Sequence, residues 1–446
     1  MGKSKVGERY SISIAVIKPG NDANKDVIVF NDASVTQLEF NLPLNHLPYG
    51  TATVTGKAES AGVVASGAYG KLMFEGLSAD NVIEMPMYVN SATRKNVSPD
   101  VVSVDLSFTV GSEAMHGVMD SVALEGTSVE AICKLFKTIN VDVVDEVTPI
   151  KGANGISDNM VWRFTGGTIT DYLQTVVEHA SIPGDILYWA YDDSRLTAKV
   201  GTFNVSRAAK NKNFMMYTND AITTTSSATR KVKGTDTSVW YYAGYTPSDL
   251  TGVTREARSP NLMIDSTVSG SDKDVGICSK ECWRTVLGSM GAKDDFYEKS
   301  AYGKQYVVKP FPSNTHKTYA VAPFVRNYLL AEYTKMVRLR IFNHPGPSVG
   351  SCIHFYAASA KKDMGDFLPD ENYTARYIVV GKQIIKNSTI GTGLLGKERP
   401  STTTDLVTEL TMISNAGYGG AVGPDFKLVM GVADSVTSAL QKETKK

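Results

Sequence analysis

Two short helical segments, each opened by a threonine–acid pair and followed by strand-forming residues, constrain this chain more than any other feature. Thr127 and Glu130 stand three apart, as do Thr168 and Asp171. That is the spacing of a capping box, in which hydroxyl and carboxylate each satisfy an orphan backbone N–H. Behind Thr168, the residues Ile169, Tyr172, Leu173, Val176, Val177 and Ala180 fall on one helical face; behind Thr127, Val129, Ile132, Cys133, Phe136 and Ile139 do the same. Helices of about three turns are marginal alone, so each must pack its apolar face on a sheet. Pro183-Gly184 stops the second helix, and ILYWAY and LTAKV flank Asp192-Asp193-Ser194-Arg195 as a hairpin.

Long β-rich stretches stand on either side. Val102, Val104, Leu106, Phe108 and Val110 alternate with polar residues, and so do Leu38, Phe40, Leu42 and Leu44. A period of two with one apolar side means a sheet with one face buried, as in a sandwich or barrel. After the helical units come a Thr/Ser-rich strip at 218–237 and the aromatic run VWYYAGYT, read as one strand. A helix is expected over 323–333 with Pro323 in its first turn, where a missing N–H costs little. MVRLRIFN, SCIHFYA, ARYIVVGKQIIKN and DLVTELTMISN follow as strands. Residues 255–320 read as an insertion holding a short helix near 278–287, and 425–440 as either an amphipathic tail helix or a frayed terminus.

The chain has 446 residues, room for two to four domains at about 150 residues each. Lys+Arg and Asp+Glu balance at 46 each, so no overall basic charge grips nucleic acid or anionic lipid. No apolar run is long enough for a transmembrane helix. The polar first ten residues carry no secretory signal, and Val6 stands where myristoylation needs Ser or Thr. Four cysteines suit a reducing compartment rather than a disulfide framework.

Chemistry-bearing patterns are scarce. Cys278 and Cys282 are four apart without two further ligands nearby, so they read as small residues on a short helix rather than a zinc site. His179 sits near the end of the second capped helix, where the dipole favours a cation, and reads as a capping residue. Asp192-Asp193 and Asp294-Asp295 read as solvated turn formers. Neither G-x-S-x-G nor H-E-x-x-H occurs. No catalytic, cofactor-binding or metal residue is therefore assigned, no cofactor is expected, and the chain reads as a non-enzyme.

Three stretches carry a resemblance. GTSVEAICKLFKTINVDVV with VWRFTGGTITDYLQTVVEHASIPGDILYWAYDDSRLTA comes first, then SVWYYAGYTP, then RNYLLAEYTKMVRLRIFNHPGPSVGSCIHFYA with YTARYIVVGKQIIKN and LVTELTMISN. In order and spacing they resemble the central baseplate hub proteins of contractile-tailed bacteriophages, whose fold is shared with the head of type VI secretion spike proteins. Pro347 and Gly350 stand near the place where hubs often have Pro-Gly before a strand.

The resemblance implies an α+β, mainly β fold: two tail-tube-like antiparallel β-barrel domains with a small α/β domain between them and an insertion in the second half. The division that follows is 1–115 for the first barrel, 116–217 for the α/β domain, and 218–257 with 318–416 for the second barrel. The remainder, 258–317 with 417–446, is an insertion and C-terminal segment expected near the spike. The resemblance also implies a homotrimer that adapts a threefold tail spike protein to a sixfold tail tube or tube-initiator protein. Other baseplate proteins would surround it. The tape-measure protein and DNA would pass through the lumen without specific binding, and the chain would reside in the virion tail baseplate after assembly in the host bacterial cytoplasm. The competing readings are a tail-associated cell-wall hydrolase, which would need a carboxyl of raised pKa in a cleft, or another tail component.

Overall fold

The computed structural model describes residues 10–17, 27–76, 82–147, 157–193, 197–204, 213–217, 229–231, 238–242, 244–250, 316–330, 332–363, 366–370, 372–387 and 405–415. The cysteine pair Cys278/Cys282, the Asp294-Asp295 pair, the expected helices at 278–287 and 425–440, and nearly all of the 258–317 and 417–446 segments lie outside these residues.

The N-terminal half is built from β1 (Ser11–Ile17), β2 (Val27–Phe30), β3 (Val35–Pro43), β4 (Tyr49–Lys57), the one-turn helix α1 (Ala58–Ala61), β5 (Tyr69–Glu75), β6 (Val82–Ser98) and β7 (Val101–Val110). Its strands pair antiparallel in the order β2-β1-β5-β6-β7-β4-β3. The expected alternation is realised: Leu38, Phe40 and Leu42 on β3, and Val102 through Val110 at every second position of β7, are buried. β3 and β5 lie four strands apart, about 19 Å in a flat sheet. Yet the rings of Phe40 and Phe74 meet at 6.4 Å. The sheet therefore curls around its apolar face as a barrel does. Among the described residues no pairing closes it from β2 to β3, because the outer edge of β3 is taken by a strand of the second half.

The middle unit comprises β8 (Val118–Met119), β9 (Val122–Gly126), α2 (Ser128–Thr138), β10 (Val143–Glu146), β11 (Met160–Phe164), β12 (Gly167–Thr168), α3 (Ile169–Glu178), β13 (Leu187–Asp192) and β14 (Thr197–Thr202). Both capping boxes form. The Thr127 and Thr168 hydroxyls accept from the N–H of Glu130 (3.3 Å) and Asp171 (3.1 Å), and the carboxylates accept in return from the threonine N–H groups. Helix α3 buries Ile169, Tyr172, Leu173, Val176 and Val177, the face its spacing predicts.

Helix α2 corrects its expected face. Ser128, Ala131, Ile132, Leu135 and Phe136 are buried, while Val129, Cys133 and Ile139 are only half-buried. The helix packs on α3 as well as on β9, β10 and β14. Small side chains at 128 and 131 allow that approach, which apolar spacing alone does not weigh. Both helices sit beside a three-stranded sheet ordered β10-β14-β13, with β10 parallel to β14 and β13 antiparallel to it.

The second half contains β15 (Asn213–Tyr217), β16 (Thr229–Lys231), β17 (Ser238–Tyr242), β18 (Tyr245–Asp249), α4 (Lys317–Leu330), β19 (Lys335–Phe342), β20 (Cys352–Phe355), β21 (Ala358–Asp363), β22 (Asp366–Pro369), β23 (Ala375–Asn387) and β24 (Asp405–Ser414). The aromatic run VWYYAGYT is two strands rather than one: β17 pairs with β15 and β16, whereas β18 pairs with β19. Asn213–Tyr217, grouped with the α/β segment in the sequence division, pairs with β17 and β20 in the large sheet, in parallel both times. Helix α4 starts six residues before the expected position, which leaves Pro323 inside the helix rather than in its first turn. The outcome is an α+β, mainly β fold dominated by one large, mostly antiparallel sheet.

Tyr188 packs tightly against two glycines in the core. Cβ atoms placed on Gly201 and Gly350 would meet its ring or hydroxyl at 2.6 Å and 2.5 Å, and Gly350 also sits at φ +79°. Gly350→Ala should therefore destabilise the chain by about 1–3 kcal/mol through overpacking and backbone strain, read by equilibrium denaturation.

Candidate functional site

The strand β23 joins the two halves of the molecule. One edge pairs with β24 along nearly its whole length. Its other edge is divided: Ala375–Ile378 pair with β20 of the second half, and Gly381–Asn387 pair antiparallel with β3 of the first. An irregularity between Val379 and Gly381 marks the change of register. A bulge at that point gives the strand the extra twist needed to serve two neighbours.

Beyond the bulge, Lys382, Ile384 and Lys386 share one face of the strand and are all buried. They lie opposite Leu42, Phe40 and Leu38 of β3, so both ammonium groups arise within an apolar layer. Each reaches a carboxylate from a different part of the chain. Lys382 Nζ meets Asp193 Oδ2, whose side chain is 4% exposed against 0% for the lysine. Lys386 Nζ meets Asp32 Oδ1 at 2.8 Å and also donates to the Asp32 carbonyl. Asp193 follows β13, and Asp32 lies between β2 and β3. One strand of the second half thus binds both the α/β unit and the first half.

This corrects the reading of Asp192-Asp193 as solvated turn formers. Both are buried, and Asp192 Oδ1 accepts from Ser348 Oγ at 3.1 Å. Neutral bonds extend the joint. Asn45, in the left-handed region at φ 59°, exchanges two bonds with Trp189: its N–H donates to the Trp189 carbonyl and its Oδ1 accepts the Trp189 N–H, both at 2.9 Å. Tyr188 donates to the Gly350 carbonyl at 3.0 Å, and Tyr333 to the Phe203 carbonyl at 2.8 Å. Asp158, also unforeseen, accepts from the Ser181 N–H at 2.9 Å and the Ser128 N–H at 3.3 Å, tying the start of α2 to the turn after α3.

The opposite face of the same sheet is continuous across the junction, largely polar on the first half and mixed on the second. One register row crosses seven strands as Arg340, Glu409, Gln383, Asn41, Tyr49, Thr109 and Tyr88. The next reads Phe342, Val407, Ile385, Glu39, Thr51, Ser107 and Ser91. Two ion pairs stand on this face, Arg340 with Glu409 at 2.7 Å and Lys95 with Asp105 at 2.6 Å, and Arg338 is exposed beside Arg340. The bonds from Lys95 and from Thr53 hold the Asp105 carboxyl below the usual carboxylate range. Gln383 donates to Glu39 Oε1 at 2.8 Å across the junction of the halves.

His179 is the C-terminal cap residue of α3, but burial pushes its imidazole below the usual histidine range, against the expected cation. Its ring lies flat on Tyr319 at 3.7 Å and its Nδ1 faces the Tyr319 carbonyl at 2.6 Å. Among the described residues no three His, Cys, Asp or Glu side chains gather as a metal site, and no helix is long and apolar enough to cross a membrane.

Two expectations follow. Lys382→Met strands Asp193 in the core and should cost about 3–5 kcal/mol, whereas Lys382→Met with Asp193→Leu should restore most of the loss in urea denaturation. His179, with a folded-state pKa below its unfolded value, contributes stability that is complete above pH about 6.5 and is lost as pH falls towards the lowered value. His179→Gln should flatten that part of a Tm-versus-pH curve.

No protein-family model matches the sequence, and no curated protein matches it. Solved structures do. A tail protein from Neisseria meningitidis MC58 is similar at 10% identity and TM-score 0.47, covering 92% of this chain and 99% of that one. The 43 kDa tail protein of prophage MuSo2 from Shewanella oneidensis is similar at 8% identity and TM-score 0.44, covering 90% and 98%. A component of the E. coli type VI secretion system, described as structurally similar to T4 bacteriophage tail proteins gp27 and gp5, shares 8% identity at TM-score 0.41, covering 86% of this chain and 75% of that one. A likeness at this level assigns no residue a role.

Proposed function

We infer that the chain is the central hub of a contractile-tail baseplate. Three copies would form a ring to which each contributes two β halves, flanking the α/β unit in the sequence division given above. Six such halves can meet a sixfold tail tube or tube-initiator protein on one side, while the threefold ring meets a spike protein on the other. The observation that carries this reading is the β3–β23 junction. It makes two β halves one sheet, with one outward face continuous from β19 to β6.

That face is the surface we assign to the lumen. Its hydroxyl and amide groups, with the ion pairs Arg340–Glu409 and Lys95–Asp105, offer DNA phosphates no dense array of cations, so DNA and the tape-measure protein can pass without being held. Its role is structural and belongs in the virion, assembled in the host cytoplasm among the other baseplate proteins. The buried joint keeps the two halves in fixed relation, as an adapter between symmetries requires.

The purified full-length chain, alone and mixed with its cognate spike protein, should give a native mass of three copies and a threefold ring in negative-stain images. A compact monomer under both conditions would end the hub reading. For the lumen, Thr51→Lys with Ser107→Lys places like charges on directly paired positions and should destabilise the chain by no more than about 1 kcal/mol. The same variant should gain salt-sensitive DNA binding that the natural chain lacks, measured by fluorescence anisotropy.

A further inference from the structure

A one-turn 3-10 helix, Glu113–His116, carries the chain from β7 of the first half to β8 of the α/β unit. Both of its flanks are anchored. The Gly111 N–H donates to the Pro86 carbonyl at 3.0 Å, and Val118 pairs with Thr168. Between them the backbone closes on itself: the Met115 N–H donates to the Ser112 carbonyl at 2.9 Å and the Gly117 N–H to that of Ala114 at 3.3 Å. A single 3-10 turn is weak on its own. Glycines bracket it. Gly111 sits at φ +148°, where side chains are disfavoured, and a Cβ there would meet Leu47 at 3.3 Å; Gly117 stands at the other end. Two side chains seat the turn. Met115, 2% exposed, enters the core, and the His116 ring lies 5.5 Å from that of Tyr88 on β6. His116 Nε2 is buried and has no hydrogen-bond partner among the described residues.

We propose that residues 112–117 are an acid-opened flap: the uncharged His116 ring and Met115 hold the turn shut at neutral pH, and a proton on His116 swings it out between Gly111 and Gly117 while the units on either side stay folded. The physical cause is desolvation. A neutral imidazole tolerates a buried nitrogen, whereas an imidazolium places a further N–H and a charge there without a partner. Burial accordingly pushes the His116 pKa below the usual histidine range, and the Gly111 carbonyl opposes it only in part. The surroundings do not rescue the charge. β6 offers the Tyr88 phenol, which touches Tyr69 of β5, while the β3–β4 loop and α3 reach the turn through the apolar Leu47 and Ile169. Because the folded-state pKa is the lower one, the closed form is complete above pH about 6.5 and is lost as pH falls through the lowered value. The inference stands independently of the hub reading.

The test is amide hydrogen exchange of the full-length chain at about pH 7.5 and about pH 5, corrected for intrinsic rates. Protection over 111–119 should fall about three- to tenfold at the lower pH, while β7 and α3 keep theirs. His116→Gln, neutral at both pH values, should show no such fall. In the natural chain, dilute peroxide should oxidise Met115 severalfold faster at the lower pH, with Met85 and Met87, buried on β6, unchanged. Unaltered protection over 111–119, the same fall in His116→Gln, or a fall shared by β7 and α3 would overturn the flap. Should His116→Gln not fold, the peroxide rates decide: a Met115 no more reactive at the lower pH overturns it.

Discussion

The pairing of β23 with β3 is the constraint on which the rest of the molecule depends. It turns two β-rich halves, separated in sequence by the α/β unit, into neighbours in one sheet. Backbone hydrogen bonds alone would tolerate a slipped register, because every residue offers the same donor and acceptor. The side chains remove that freedom. A slip by one residue would turn Lys382, Ile384 and Lys386 to the outer face and bring Gln383 and Ile385 into the core. A slip by two would separate each lysine from its carboxylate, leaving buried charges uncompensated. The ion pairs thus specify a register more than they add stability.

The same joint accounts for the position of the α/β unit. Its hairpin enters the space between the halves with β13 buried on both faces, and its end delivers Asp193 to Lys382. Tyr188 fills the gap left by two glycines, and Asn45 clasps Trp189. Interactions of this kind hold a unit at a defined angle, whereas a purely apolar contact permits rotation. A rigid relation between two β halves is the physical requirement for any protein that must present both to one partner at once.

Much of this was legible from the residues. Both capping boxes lie where threonine and acid stand three apart, and the buried face of α3 is the one its apolar spacing gives. The period-two runs at 38–44 and 102–110 became curled sheet with that face inside. Other readings failed for identifiable reasons. In α2, contacts on two sides buried Ser128 and Ala131 instead of Val129 and Cys133. Proline suggested a first turn at 323, but α4 begins at Lys317 and carries Pro323 inside it. The aspartates at 192 and 193 looked like solvated turn formers until their partners arrived from 348 and 382. One signal was available: Lys382 and Lys386 sit in phase with Ile384, and lysines in an apolar phase of a strand call for buried partners.

Local chemistry by itself determined where helices start, which strand faces are apolar, and that no overall charge exists to grip nucleic acid, because these depend on neighbours within a few residues. Only the tertiary structure decided which strand joins the halves, which acids are buried, and which helix His179 meets. Those outcomes rest on contacts between residues from about 140 to more than 350 positions apart, and no local pattern encodes such a meeting. The physical reason is desolvation. A charge or carbonyl is inexpensive wherever water reaches it, and becomes a constraint on the whole chain once the fold takes the water away.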